Sequence, residues 1–257
     1  MRGKRIAIVQ SSYLPWKGYF DLIASVDEFV LFEDFQYTRR SWRNRNIIKT
    51  PQGTQWLTIP VVASPQRTTR ISDVLIASPQ WAERHLKTLR MAYSRAPFFS
   101  EIIKILEEEF GRKSSNLSDI NISLIRRFCL YLGIETVLST HRHYKASDHR
   151  QLRLRDICLQ AGASVYVSGP AAKTYLDESI MGAAGIEVEW FDYSGYREYP
   201  QLWGPFVHEV SIVDLLFNQG PNAPAYMNVV GQPRAHVQQE PAREPSEELI
   251  CMAELPS

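Results

Sequence analysis

Cysteine is scarce in this chain. Cys129, Cys158 and Cys251 form no CxxC pair, so no disulfide framework holds the fold together, and a reduced, cytoplasmic protein is expected. Long apolar runs are missing as well. The start is basic and then briefly apolar from Ile6 to Val9. That run is too short for a signal-peptide core and far below the roughly 20 residues that span a bilayer. Charge of one sign is also lacking: 29 Lys and Arg against 28 Asp and Glu leave a net charge of +1. No global field therefore points to nucleic acid or membrane. There is no Walker loop, no G-x-S-x-G elbow, no strong metal-ligand spacing and no internal repeat.

What is present is ordinary globular material, 44% hydrophobic and 22% charged over 257 residues. That is enough for one large domain with a sizeable core. Lys4 to Val9 reads as a buried strand, Trp16 to Val26 as a helix entered through Pro15, and Glu28 to Phe32 as a second strand. Asn46 to Val62 reads as a hairpin turning at Pro51-Gln-Gly53, and Thr69 to Ile76 as a further strand. Helices are expected over 80–94, 98–109, 116–132, 152–161 and 171–184, and strands over 136–139, 164–168 and 186–193. Strands alternating with helices predict α/β: a mostly parallel twisted sheet flanked by helices, a Rossmann-like three-layer arrangement with an inserted β-hairpin. Residues 231–257 hold no aromatic residue, five acidic and two basic ones. They are expected to be a disordered tail after a single domain over 1–230. Without that tail the body carries +4.

The polar segments cluster where such sheets bind ligands, beyond the carboxyl ends of strands. Gln10 to Asp21 lies between the first strand and its helix and offers Gln10, Tyr13 and Lys17, with Gly18 allowing close approach. Asp34 follows the second strand and is a candidate general base or hydroxyl acceptor. Arg39, Arg40, Arg43, Arg45 and Lys49 put five cations into eleven residues around Trp42, with no acid among them. Arginine forks suit phosphate and carboxylate, and an aromatic stacks a base or sugar. His141 and His143 alternate with Arg142 after the third strand, and His143 is a candidate acid–base group. His149 or Asp148 would have to complete any metal site there, and no metal is expected. Ser168, Gly169 and Lys173 form a strand–turn–helix seat for an anion. Ser211 to Gly220 reads as a structural helix with Ser211 as its cap.

Four blocks in order, QSSYLPWKGYFDLI, EDFQYTRRSWRNRNIIKTPQGTQWLTIPV, YVSGPAAKTYLD and YPQLWGPFVHEVSIVDLLFNQG, resemble the signature blocks of the WbqC-like family from about residue 5 to residue 222. Ser11 stands where that family usually has proline, and Gln151 where it usually has threonine. The resemblance implies a setting in O-antigen and other surface-polysaccharide biosynthesis, with a glycine transferase acylating an amino sugar as the implied activity. Its motif matches fall on Gln10, Tyr13, Trp16, Gly18, Tyr19, Asp34, Gln36, Tyr37, Arg43, Asn44, Arg45, Asn46, Ser168 and Gly169. The first block is also similar to that of nucleotidylyltransferase-type folds, without their histidines.

The expected function is a group-transfer enzyme forming an amide on an amino sugar or similar amine. Asp34 or His143 would act as base, Tyr13 and Ser168 would position the acceptor, and Arg43, Asn44 and Arg45 would hold the donor's anion. Charged tRNA is a possible acyl donor, with residues 39–49 as its landing site; the cofactor is left unknown. The alternatives are a nucleotide-dependent transferase or ligase, and a non-catalytic nucleotide-sugar binding protein.

Overall fold

In the computed structural model of the chain, residues 3–62, 69–147 and 149–231 are described. Asp148, the side chain of Gln151 and the expected tail from 232 onward lie outside the described residues.

Strand β1 (Arg5–Val9) leads through α1 (Lys17–Ala24) to β2 (Glu28–Leu31). A long insertion follows. It holds the hairpin β3 (Arg45–Thr50) and β4 (Gly53–Thr58), the short pair β5 (Val61–Val62) and β6 (Leu75–Ile76), and the helices α2 (Trp81–Tyr93), α3 (Phe99–Phe110) and α4 (Leu117–Tyr131). The sheet resumes with β7 (Val137–Thr140), α5 (Arg150–Gln160), β8 (Val165–Ser168), α6 (Glu178–Gly182) and β9 (Glu187–Trp190), and α7 (Ile212–Gln219) comes last.

The five main strands pair in parallel in the order β7-β2-β1-β8-β9. The alternation in RIAIV explains why this sheet is covered on both faces, since successive side chains of a strand point to opposite sides. Ala7, Phe29 and Leu31 join a core with α1, α2, α3, α4 and α7. Ile6, Ile8, Val30 and Phe32 join a second core with Leu154 and Ile157 of α5 and Met181 of α6. The three-layer α/β expectation holds, with the inserted hairpin. Phe29 is fully buried, and truncating such a ring to alanine costs about 3–5 kcal/mol.

Local differences have local causes. The helix expected over 171–184 is two pieces, a 3-10 turn over Pro170–Thr174 and then α6. Tyr175 leaves helical geometry and the Asp177 carboxylate starts afresh by accepting from Ser179 N–H. The strand expected over 69–76 shrinks to β6, because Ile71–Asp73 forms a 3-10 turn. Pro15 lies one residue before the cap of α1 and not inside its first turn.

Candidate functional site

The strand order reverses direction between β1 and β8. In an open parallel sheet a crevice forms beyond the carboxyl ends at such a point, because the connections leave to opposite faces. Gln10 follows β1 and Ser168-Gly169 end β8, so the first and fourth sequence segments meet there.

One group is built on Arg43. Its guanidinium donates to Gln10 Oε1 at 3.0 Å, while the Tyr19 hydroxyl donates to the Gln10 carbonyl at 3.0 Å. Burial pulls the Arg43 pKa below its ordinary value, against the opposing fields of Tyr19 and Glu33. Glu33 is itself buried. It accepts from Ser11 N–H at 2.7 Å, from Ser11 Oγ at 3.0 Å and from Ser118 Oγ at 2.6 Å. Asn121 donates to the Arg43 carbonyl at 2.8 Å and to Ser11 Oγ at 3.3 Å. Ser11 is thus a double donor to a buried carboxylate. A proline there would supply neither hydrogen.

A second group at this end of the sheet is aromatic. Trp16 packs on Tyr193 at 5.4 Å and on Tyr196 at 5.5 Å between ring centroids. A Cβ on Gly169 would lie 3.4 Å from the Tyr193 ring, so that ring lies against the turn after β8. Gly18 is glycine because a Cβ would fall 2.3 Å from the Trp16 indole. Lys17 is buried beneath: it donates to the Arg197 carbonyl at 3.0 Å and sits among the Tyr196, Tyr199 and Phe206 rings. Burial lowers its pKa to about 8, with Asp21 pulling the other way.

Acid–base groups gather at the neighbouring strand ends. Asp34 is half-buried, paired with Arg70 at 2.7 Å and 3.9 Å from Arg153. Arg153 also donates to the Asp34 carbonyl at 2.9 Å. His141, and not His143, turns toward this corner. Glu33 N–H reaches His141 Nδ1 at 3.4 Å, a long contact, and the ring stands edge-on to Phe32. Burial lowers the His141 pKa, opposed by Asp34 and Glu33, which favours the uncharged imidazole. His143 is exposed and folds back on Thr140 through Nδ1.

Several of the predicted residues fasten the loops. Tyr13 is fully buried, and its hydroxyl meets His85 Nδ1 at 2.8 Å, while His85 Nε2 meets the Thr58 carbonyl at 3.1 Å. Asn44 donates to Ile59, and Asn46 to the carbonyls of Tyr13 and Leu14, which ties β3 to the loop after β1. Tyr37 is buried with its N–H on the Thr69 carbonyl, whereas Gln36 is exposed. Ser168 is buried at the end of β8, and Lys173 lies outside over Trp190. The five cations of 39–49 divide. Arg43 turns inward and Lys49 is buried against Gln201 and Pro205, whereas Arg45 stacks on Trp56 at 4.0 Å and Arg39 and Arg40 face solvent.

Glu33, His141 and Tyr193 were not among the predicted site residues. Glu33 had a signal, since it immediately follows the expected strand Glu28 to Phe32 and precedes Asp34; Tyr193 had none short of the tertiary fold. Two grooves of about 330 and 560 Å3 lie along α3 and α4, away from the strand ends. Among the described residues no group of three or more His, Cys, Asp or Glu side chains converges as a metal site, and no helix is long and apolar enough to cross a membrane.

The chain is 48% identical over 230 residues to the uncharacterized protein Rv1507c of Mycobacterium tuberculosis (strain ATCC 25618 / H37Rv), an alignment covering 89% of this chain and all of that one. No solved structure matches. Residues 10–226 match the model of the WbqC-like protein family, a span that contains Arg43, Gln10, Trp16 and Tyr193. On that match, the chain belongs to the WbqC-like protein family.

Proposed function

We propose that the protein is a group-transfer enzyme that forms an amide, moving a glycyl or other aminoacyl group onto an amino sugar or similar amine in surface-polysaccharide or related biosynthesis. The observation that carries this reading is the Gln10–Arg43 pair, backed by buried Glu33 and placed at the switch point of a parallel sheet. It offers one fixed cation and one amide to an anionic or carbonyl-bearing donor, at a place where such sheets hold ligands. Asp34 and His141 supply proton acceptors at the next strand ends. In the proposed step the amine nitrogen attacks the acyl carbon. The C–N bond forms as the bond from that carbon to the donor's leaving oxygen breaks. The amine proton passes to Asp34 and from there to the departing oxygen. Arg43 and Gln10 hold the charge that develops on the donor. Trp16 and Tyr193 cover the acceptor side and keep water from competing for the acyl group.

The strand order also favours a second reading, a nucleotide-dependent transferase or ligase that activates a carboxylate. Its marks would be Mg²⁺ dependence and release of a phosphate product. A thermal-shift screen of wild type and Arg43→Ala with ATP, nucleotide sugars and aminoacylated tRNA separates the readings, since a ligand of the folded state must raise the melting temperature. A shift lost in Arg43→Ala identifies the donor class. Mass spectrometry then looks for an acceptor heavier by one aminoacyl group. Binding that survives Arg43→Ala unchanged would sink the proposed site. Binding without product under any donor, with affinity kept in Asp34→Asn, would leave a binding protein and not an enzyme.

A further inference from the structure

The sequence between Asp34 and Asp73 contains seven arginines and lysines and no acid, in a chain whose net charge is +1. The structure turns Arg43 inward onto Gln10 and Lys49 onto Gln201, while Arg70 pairs with Asp34. Two indoles stand exposed on the same segments. Trp42 is 47% exposed and Trp56 42% exposed. Their rings lie 5.3 Å apart at an interplanar angle of 36°, and the Arg45 guanidinium covers one face of Trp56 at 4.0 Å. Exposed Arg39 and Arg40 precede Trp42, and Arg40 adopts φ 55°, a left-handed conformation that non-glycine residues seldom take. Two large exposed indoles side by side are costly to leave in water, and core packing does not account for them.

We propose that Trp42 and Trp56, with Arg39, Arg40 and Arg45, form a stacking platform for unpaired bases at the end of a single-stranded RNA. Aromatic faces take any base and the arginines take the phosphates between bases, which is how sequence-tolerant single-strand binding is built. The cationic groups on this acid-free segment favour an anionic strand over a neutral sugar. The platform is coupled to the crevice. Trp42 points out while the next residue, Arg43, points in to Gln10, and the Trp42 carbonyl accepts from Tyr13 N–H at 2.9 Å. An RNA end stacked on Trp42 therefore lies one residue from the strand-end site. Resting on the transfer reading above, this names an RNA-linked ester as the acyl donor.

The test is fluorescence anisotropy with a labelled single-stranded RNA bearing an unpaired 3′ end. Its annealed duplex, AMP and maltoheptaose serve as comparison probes. Wild type should bind the single strand, with affinity falling as salt rises at a log–log slope of about −2, from roughly 0.7 per phosphate for three arginines. Trp42→Ala/Trp56→Ala should weaken binding tenfold or more, and Trp42→Phe/Trp56→Phe should retain most of it, each with an unchanged melting temperature. AMP should bind far more weakly than the strand. Equal affinity for the duplex, no loss in the alanine pair, or tryptophan quenching by maltoheptaose in place of RNA would each overturn the platform. Its failure is separable from failure of the transfer reading. Tryptophan-dependent RNA binding with no acyl transfer from any donor removes only the latter, and transfer from a donor without RNA removes only the former.

Discussion

Replacing Glu33 by glutamine and by alanine should give two very different proteins. The carboxylate is buried, with Ser11 N–H on one oxygen and the hydroxyls of Ser11 and Ser118 on the other. Hydroxyls can accept as well as donate. A glutamine can therefore keep its carbonyl on Ser11 N–H and turn its amide toward the two hydroxyls, and Ser118 Oγ retains the Ile71 carbonyl as an acceptor at 3.1 Å. What Glu33→Gln loses is charge assistance, roughly the difference between charged bonds of 1.5–3 kcal/mol and neutral ones of 0.5–1.5. The expected cost is about 1–2 kcal/mol, or a fall of roughly 2–8 °C in melting temperature for a domain of this size. Alanine leaves the Ser11 N–H buried without an acceptor and opens a cavity, at a cost of about 3–5 kcal/mol. Urea unfolding of both variants, with Ser11→Ala and the Ser11→Ala/Glu33→Gln double variant, reads these values and their coupling. The coupling should exceed about 0.5 kcal/mol, since the two groups touch. Equal stability of the glutamine and alanine variants, or full additivity, would refute the claim that this carboxylate fixes the loop carrying Gln10.

Burial holds His85 uncharged, with its pKa lowered to about 4. The unfolded chain therefore binds more protons between about pH 4 and 6.5, and stability should fall as pH drops through that window. Urea midpoints should show a steeper loss there in wild type than in Tyr13→Phe/His85→Leu, and parallel curves would contradict the assignment. The Asp21 carboxylate accepts from the N–H groups of Asn228, Val229 and Val230 at 2.8 to 2.9 Å. Asp21→Ala should cost about 2–3 kcal/mol, since the buried Val230 N–H and two part-buried donors lose their acceptor, and proteolysis should then cut first near residue 228. Gly18→Ala should displace the Trp16 indole and cost about 1–3 kcal/mol. Gly169→Ala, whose Cβ meets Tyr193 at an ordinary 3.4 Å, should melt like wild type. Equal melting temperatures for these two alanine variants would contradict the packing argument.

The sheet was legible because its signal is local. Ile6 and Ile8 against Ala7, and Val30 against Phe29 and Leu31, write two buried faces directly into the strand. The carboxyl-end placement of Gln10, Asp34 and Ser168 followed from strand–helix alternation alone. What was not legible was direction. Nothing in the run from Arg39 to Lys49 says that Arg43 turns in while Arg45 turns to Trp56, because that depends on Gln10 and on a β4 residue brought in by the hairpin register Ile47–Trp56. Between His141 and His143 the sequence pointed to His143, whereas the structure turns His141 toward the strand ends. The choice came from the 3-10 turn over His141–His143, in which His143 folds back onto Thr140.

The blocks that establish the family therefore mix two kinds of residue. Tyr13, Asn44 and Asn46 are polar, yet each is buried with its donors spent on backbone or on His85, so their chemistry is consumed in holding β3 against the loop after β1. Gln10, Asp34 and Arg43 are held by those same loops and keep a face toward the strand ends. A rigid support is what a transfer site requires, since displacement of a positioning group by even an ångström costs rate. It follows that Asn46→Ala, which touches nothing in the crevice, should reduce both stability and the Arg43-dependent binding. Gln36→Ala, exposed on the same block, should change neither. If Asn46→Ala lost stability but left that binding intact, the loops would be independent of the site. The crevice would then owe its geometry to Glu33 and Ser11 alone.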